Sequence, residues 1–112
     1  MLAASSGSVE RHAWSPAVVR PLANEISGRW ALEVLYALKE GPLRRNLLHE
    51  RIGDVSNKVL TETLRRLESQ RLIKRKTVAS VPVEVDYGLT ARGRRLWPLL
   101  HELHRWAIDN AV

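Results

Sequence analysis

Between residues 56 and 70 the chain carries Leu60, Leu64 and Leu67 at i, i+4 and i+7. That spacing predicts a helix with a single narrow buried stripe, and Ser56 is a natural N-cap for it. The opposite face carries Lys58, Thr61, Glu62, Arg65 and Ser69, with Arg66 on its flank and Asn57 near its start. One face packs, and the other is free to read something.

The flanking segments supply the rest of a core. Residues 43–52 place Leu43, Leu47, Leu48 and Ile52 at helical spacing, closed by Gly41-Pro42 before and Gly53-Asp54 after. Residues 30–39 read as another helix, with Trp30, Val34, Ala37 and Leu38 on one face. Residues 17–27 carry Val18, Val19, Leu22 and Ile26 at helical spacing, and Pro21 is expected in the first turn, where a missing N–H costs little. Downstream, Val83, Val85 and Tyr87 alternate with Glu84, Asp86 and Gly88, the period of a strand. Ile73 and the basic Lys74-Arg75-Lys76 can pair with it as a hairpin. Thr90 caps a last helix with Leu96, Leu100, Leu103, Trp106 and Ala107 on one stripe, and Pro98 inside it predicts a kink. That stripe is large for a terminal helix with so little chain left to cover it, which predicts a homodimer.

Two short helices joined by a tight turn, the second basic on its outer face, followed at once by a hairpin, make the winged helix-turn-helix layout. The expected fold is mainly α with a small β-hairpin wing. A flexible tail covers residues 1–15, most clearly residues 1–8, and the domain spans 16–112. Within it the helix-turn-helix occupies about 43–70, the wing about 72–89 and the last helix about 90–109.

Charge sharpens the functional reading. The formal net charge is +6, and ten basic against four acidic residues between Arg44 and Lys76 account for all of it; the remaining eight and eight cancel. A local excess of this kind suits a phosphate backbone, where neutralising cations release condensed counterions. A solvated surface tuned for solubility is the plainer alternative. The major groove, about 12 Å wide, admits one α-helix. Arg65 is placed for bidentate contact with guanine and Asn57 with adenine, while Ser56, Lys58, Thr61 and Arg66 serve bases or phosphates. Arg44, Arg45, Lys74, Arg75 and Lys76 complete the candidate DNA-binding set. Plain readings stand beside these: Asn57 as a cap, Glu62 paired with Arg65 or Arg66 along the helix.

The order Ser27-Gly28-Arg29-Trp30, Gly41-Pro42-Leu43-Arg44 with Asn46 and Leu48, Val55-Ser56 with Lys58, Leu60-Thr61 and Leu64, Leu67-Glu68, Leu72-Ile73, Val81-Pro82, Val85-Asp86-Tyr87, Leu89-Thr90, Gly93, Leu96, Pro98 and Trp106 resembles the HxlR-type winged helix-turn-helix transcription regulators. The resemblance covers about residues 27–107. It implies small cytoplasmic DNA-binding regulators, with repression the expected sense, that work as homodimers on two half-sites of a palindromic operator. The N- and C-terminal helices would form the interface, here through Val18, Val19, Leu22, Leu96, Leu100, Leu103 and Trp106. Three departures stand out. Many members carry a cysteine near the first helix, some of them sensing oxidants, whereas Ser15-Pro16 stands there and the chain has no cysteine at all. Arg45 replaces a customary aromatic residue. Arg71 replaces a frequent glycine, at a penalty if that residue must adopt positive φ.

The absence of cysteine excludes disulfide scaffolds, Cys-ligated zinc fingers, thiol nucleophiles and thiol redox switches. No apolar run approaches the roughly 20 residues that cross a bilayer, and the start lacks a signal pattern, so a soluble intracellular protein is expected. His101 and His104, at i, i+3, have a metal-sharing spacing but too few companions for a closed site, and no metal or other cofactor is expected. Trp14, Trp30, Trp97 and Trp106 are unusual in a chain without phenylalanine. Core or dimer packing explains them, and a flat aromatic effector held between subunits is the sharper reading. No phosphate-binding glycine loop, carboxylate pair or nucleophile motif supports catalysis. A protein-interaction winged helix whose basic face binds an acidic partner remains the alternative function.

Overall fold

The structure, a computed structural model, describes residues 13–112; the expected tail of residues 1–8 lies outside them. Chain order is α1 (Pro16–Ile26), α2 (Ala31–Ala37), β1 (Leu43–Arg44), α3 (Arg45–Ile52), α4 (Asn57–Ser69), β2 (Ile73–Val78), β3 (Glu84–Leu89) and α5 (Ala91–Asp109). The sheet is antiparallel with order β1-β3-β2. This is a winged helix, in which α3 and α4 form the helix-turn-helix and the β2–β3 hairpin forms the wing.

The leucine stripe of α4 is the centre of the core. Leu60, Leu64 and Leu67 are all essentially sealed from solvent. Val34, Leu35 and Leu38 of α2 and its C-cap, Leu48 of α3, and Leu72 and Ile73 at the start of β2 close around them. Burying a leucine is worth about 1.5–3 kcal/mol, so this cluster outweighs the weak intrinsic stability of helices only two or three turns long. Ser56 caps α4 as expected, its Oγ accepting from the Val59 N–H at 3.1 Å.

Two local expectations are corrected. Leu43 and Arg44 do not open α3: they form an edge strand, with Leu43 opposite Tyr87 and Arg44 opposite Asp86, and the helix starts at Arg45. Gly41-Pro42 delivers the chain in extended form, and β3 offers a free edge to pair with. Pro21 sits in the interior of α1, because the helix begins one residue earlier at Pro16, which takes the N-terminal position proline prefers. The last helix spans Ala91–Asp109 with Pro98 inside it, as the sequence places it. Among the described residues no helix is long and apolar enough to cross a membrane.

How α5 docks decides how the wing is held. A Cβ on Gly93 would meet the Leu72 carbonyl oxygen at 2.1 Å, so only glycine allows α5 to lie this close to the α4–β2 turn. Thr90 secures the contact: its Oγ1 accepts from the Gly93 N–H at 3.0 Å and donates to the Arg71 carbonyl at 2.5 Å. Arg92 Nε donates to the Gln70 carbonyl at 3.0 Å. The intervening turn passes through Arg71 at φ 57°, the left-handed conformation that glycine adopts at less cost.

Gly93→Ala is expected to destabilise the fold by about 1–3 kcal/mol through overpacking against a backbone oxygen that cannot yield. Arg71→Gly should act the other way, adding about 0.5–1 kcal/mol once the extra chain entropy of glycine is set against the relieved backbone. Urea unfolding monitored by circular dichroism measures both.

Candidate nucleic-acid interface

The outer face of α4 is the natural starting point. Asn57, Lys58, Arg65 and Arg66 are exposed, and no ion pair joins Glu62 to Arg65 or Arg66 among the described residues. Leu60, Leu64 and Leu67 turn inward, so Lys58 and Arg65 project from the opposite side. Arg66 lies to one flank, where it lines a cavity of about 100 Å³ with Trp30, Glu25 and Glu62. Ser56 is occupied as the N-cap.

Thr61 occupies the other flank and is half-buried; its Oγ1 accepts from an Arg45 Nη at 3.0 Å. This bond ties the start of α3 to the middle of α4. A second tie fixes the turn between them: His49 Nε2 lies 2.6 Å from the Val55 carbonyl oxygen. In the sequence His49 was an isolated histidine without a motif; only the fold brings it back onto the turn that follows its own helix. Gly53 sits at φ 96° in that turn, a conformation that favours glycine.

The wing sorts its charges by the two-residue period of a strand. Lys74 and Lys76 project from one face of β2, and Lys76 stands directly opposite Asp86. Arg75 points to the other face, toward α4, with its Nε 3.8 Å from a Glu68 carboxylate oxygen. Of the run Lys74-Arg75-Lys76, two cations are therefore free on the outer face and one is engaged inside the protein.

Arg44 departs most from its expected role. Its Nε donates to Asp86 Oδ1 at 2.7 Å and an Nη donates to Glu84 Oε2. The hydrogen bond to Asp86, reinforced by the negative charges of Asp86 and Glu84, raises the guanidinium pKa above its ordinary value despite the opposing effect of partial burial. The charge counted toward a DNA-facing patch is bound to two carboxylates of the same sheet.

The expected interface helices also divide. Leu96 belongs to the protomer's own core, 7% exposed, because the first turns of α5 pack on β3 and the α4–β2 turn; it is removed from the candidate dimer face. Leu22 and Leu100 are half-buried against the same core. Val18, Val19, Leu103 and Trp106 are exposed, and every residue from 101 to 112 is exposed. The four tryptophans do not gather in one protomer. Trp14 and Trp106 face solvent, Trp30 lies under the Arg29 guanidinium at 4.1 Å, and Trp97 meets Tyr36, His101 and Lys39. Among the described residues no group of three or more metal-ligating side chains comes together.

Known proteins supply the context for this geometry. The sequence profile described as HxlR-like helix-turn-helix matches residues 25–111. An uncharacterised HTH-type transcriptional regulator of Methanothermobacter thermautotrophicus is 43% identical over 83 residues, a match covering 74% of this chain and 63% of that protein's length. The reduced form of the Bacillus subtilis transcriptional regulator YodB superposes with a TM-score of 0.81 at 28% identity, covering 88% of this chain and 96% of the YodB chain. The redox regulator HypR in its oxidised form superposes with a TM-score of 0.72 at 29% identity, covering 84% and 97%.

Proposed function

The chain belongs to the HxlR-like helix-turn-helix family of transcriptional regulators, and from that membership we propose that it is a sequence-specific DNA-binding regulator acting as a homodimer, with α4 in the major groove and the wing along the phosphates. The observation that carries this reading is the set of exposed cations on the outer face of α4 and on the wing. Lys58 and Arg65 on α4, with Lys74 and Lys76 on the wing, have no carboxylate partner among the described residues. Arg65 reads base edges in this proposal, Asn57 and Lys58 enter at the start of the helix, and Lys74 and Lys76 meet phosphate. Arg66 and Arg75 are secondary. Repression is the sense proposed, since a dimer seated on a promoter occludes it.

The homodimer rests on the exposed Val18, Val19, Leu103 and Trp106, an apolar surface on the two helices that flank the DNA-binding core. A two-fold dimer presents two α4 helices and so favours a palindromic operator. The signal it answers is not thiol oxidation, because the chain holds no cysteine. An aromatic effector between subunits is supported by the buried Trp97 Nε1, which finds no acceptor within the described protomer.

Arg65→Ala should weaken binding to a selected operator duplex by about 1–3 kcal/mol and relax its sequence preference. Lys74→Ala should weaken all duplexes alike and reduce the slope of log K against log salt by about 1. Fluorescence anisotropy across a salt series measures both, and wild-type protein that binds selected and random duplexes equally would favour the acidic-partner alternative. Light scattering should give a dimer at micromolar concentration, and Leu103→Asp with Trp106→Asp should give a folded monomer of wild-type helix content, since neither side chain is in the protomer core, with a melting temperature lowered only by the lost association.

A further inference from the structure

We infer that Arg44 is a positioning residue of the DNA interface: it braces the wing against the helix-turn-helix and cancels two wing carboxylates, and it does not touch phosphate. The inference rests on the DNA-binding reading above. Arg44 is one of only two residues in β1, and that strand meets β3 through just the pairs Leu43 with Tyr87 and Arg44 with Asp86. So short an edge contributes few backbone hydrogen bonds, and the side-chain link reaching along β3 from Asp86 to Glu84 extends the attachment by two residues toward the wing tip. Arg44 is also the N-cap residue of α3, so the same guanidinium that grips the wing is rooted where the helix-turn-helix begins. Beside it a cleft of about 280 Å³ opens between Arg45 and Asn46 on one side and Pro82, Val83 and Glu84 on the other. Arg44 itself lines that cleft.

The electrostatic half of the role follows from the strand register. Arg44, Asp86 and Lys76 form one row across the three strands, and Glu84 and Lys74 lie on the same face. With Arg44 in place, that face carries three cations against two carboxylates. Without it the face is neutral, and Glu84 and Asp86 are balanced only by the lysines proposed to meet phosphate. At about 0.1 M salt the screening length is near 10 Å, so carboxylates this near the phosphate backbone would be felt. A planar fork with several donors can serve two carboxylates at once, which a lysine at this position could not do with the same geometry.

The experiment uses full-length protein and two probes, a duplex selected from a random pool by the wild type and one unselected duplex. Arg44→Met should weaken binding to the selected duplex by about tenfold or more, and adding Glu84→Gln and Asp86→Asn should recover about threefold of that loss, the share due to charge cancellation, with an unchanged salt slope, since the brace is still missing. A triple variant as weak as Arg44→Met, with both slopes reduced by about 1, would mean that Arg44 contacts phosphate directly and would overturn the inference. Hydrogen exchange on the free protein tests the brace without DNA: amides of residues 43–44 and 85–87 should exchange faster in Arg44→Met, and unchanged exchange there would overturn it. If Arg44→Met does not fold, Arg44→Lys takes its place in both arms, with partial loss of affinity restored by Glu84→Gln as the supporting result and no restoration as the refuting one. A wild-type protein that selects no duplex removes the DNA-binding reading itself, an outcome the exchange measurement on the free protein keeps separate from failure of the brace.

Discussion

What the molecule can present to a partner depends on the burial of one helix face. Leu60, Leu64 and Leu67 hold α4 down over Val34, Leu35, Leu38 and Leu48, and that burial fixes the rotation of the helix about its axis. With the stripe inward, Lys58 and Arg65 must point out, whatever they meet there. The flanks are then pinned individually: Arg45 to Thr61 on one side, and the His49 contact with Val55 at the preceding turn. Each bond is modest, of order 1 kcal/mol net. Together they convert a helix held by a narrow apolar stripe into one with little freedom to roll.

Charge is distributed by the same logic. A count along the chain treats all ten basic residues between Arg44 and Lys76 as equivalent, but the fold sorts them. Arg44 and Arg75 carry carboxylate partners within the protein, Arg45 holds a threonine, and Arg51, Lys58, Arg65, Arg66, Arg71, Lys74 and Lys76 have no carboxylate partner among the described residues. The distinction matters because cations already neutralised release few counterions on meeting DNA. The number of free cations, rather than the net charge, sets the salt dependence of binding.

The fold was largely legible because its signals are strong and local: helical spacing of leucines in α4, alternation in β3, and Ser56 and Thr90 as caps, each confirmed by an oxygen accepting a backbone N–H three residues on. Leu43 and Arg44 were misread as helix because two residues cannot reveal a period, and their strand identity comes from a partner more than 40 residues later. The candidate interface was half legible. Which residues lie on the outer face of α4 follows from 3.6-residue geometry, but whether a given arginine is free depends on long-range partners such as Asp86 and Glu84. One signal was available: Glu84 and Asp86 alternate on the strand expected to pair with the basic Lys74-Arg75-Lys76 strand, so they share a face that cations must balance.

The position of α5 connects the two surfaces. Its first turns are locked to the turn after α4 by Thr90, Gly93 and Arg92, while its last three turns are bare. A continuous helix of 19 residues is about 28 Å long and stiff on that scale. The anchor is the turn that follows α4, at the carbonyls of Gln70, Arg71 and Leu72. One helix thus carries both the exposed apolar surface and the contact with the turn that ends α4, a contact at which Gly93 leaves no room for a larger side chain.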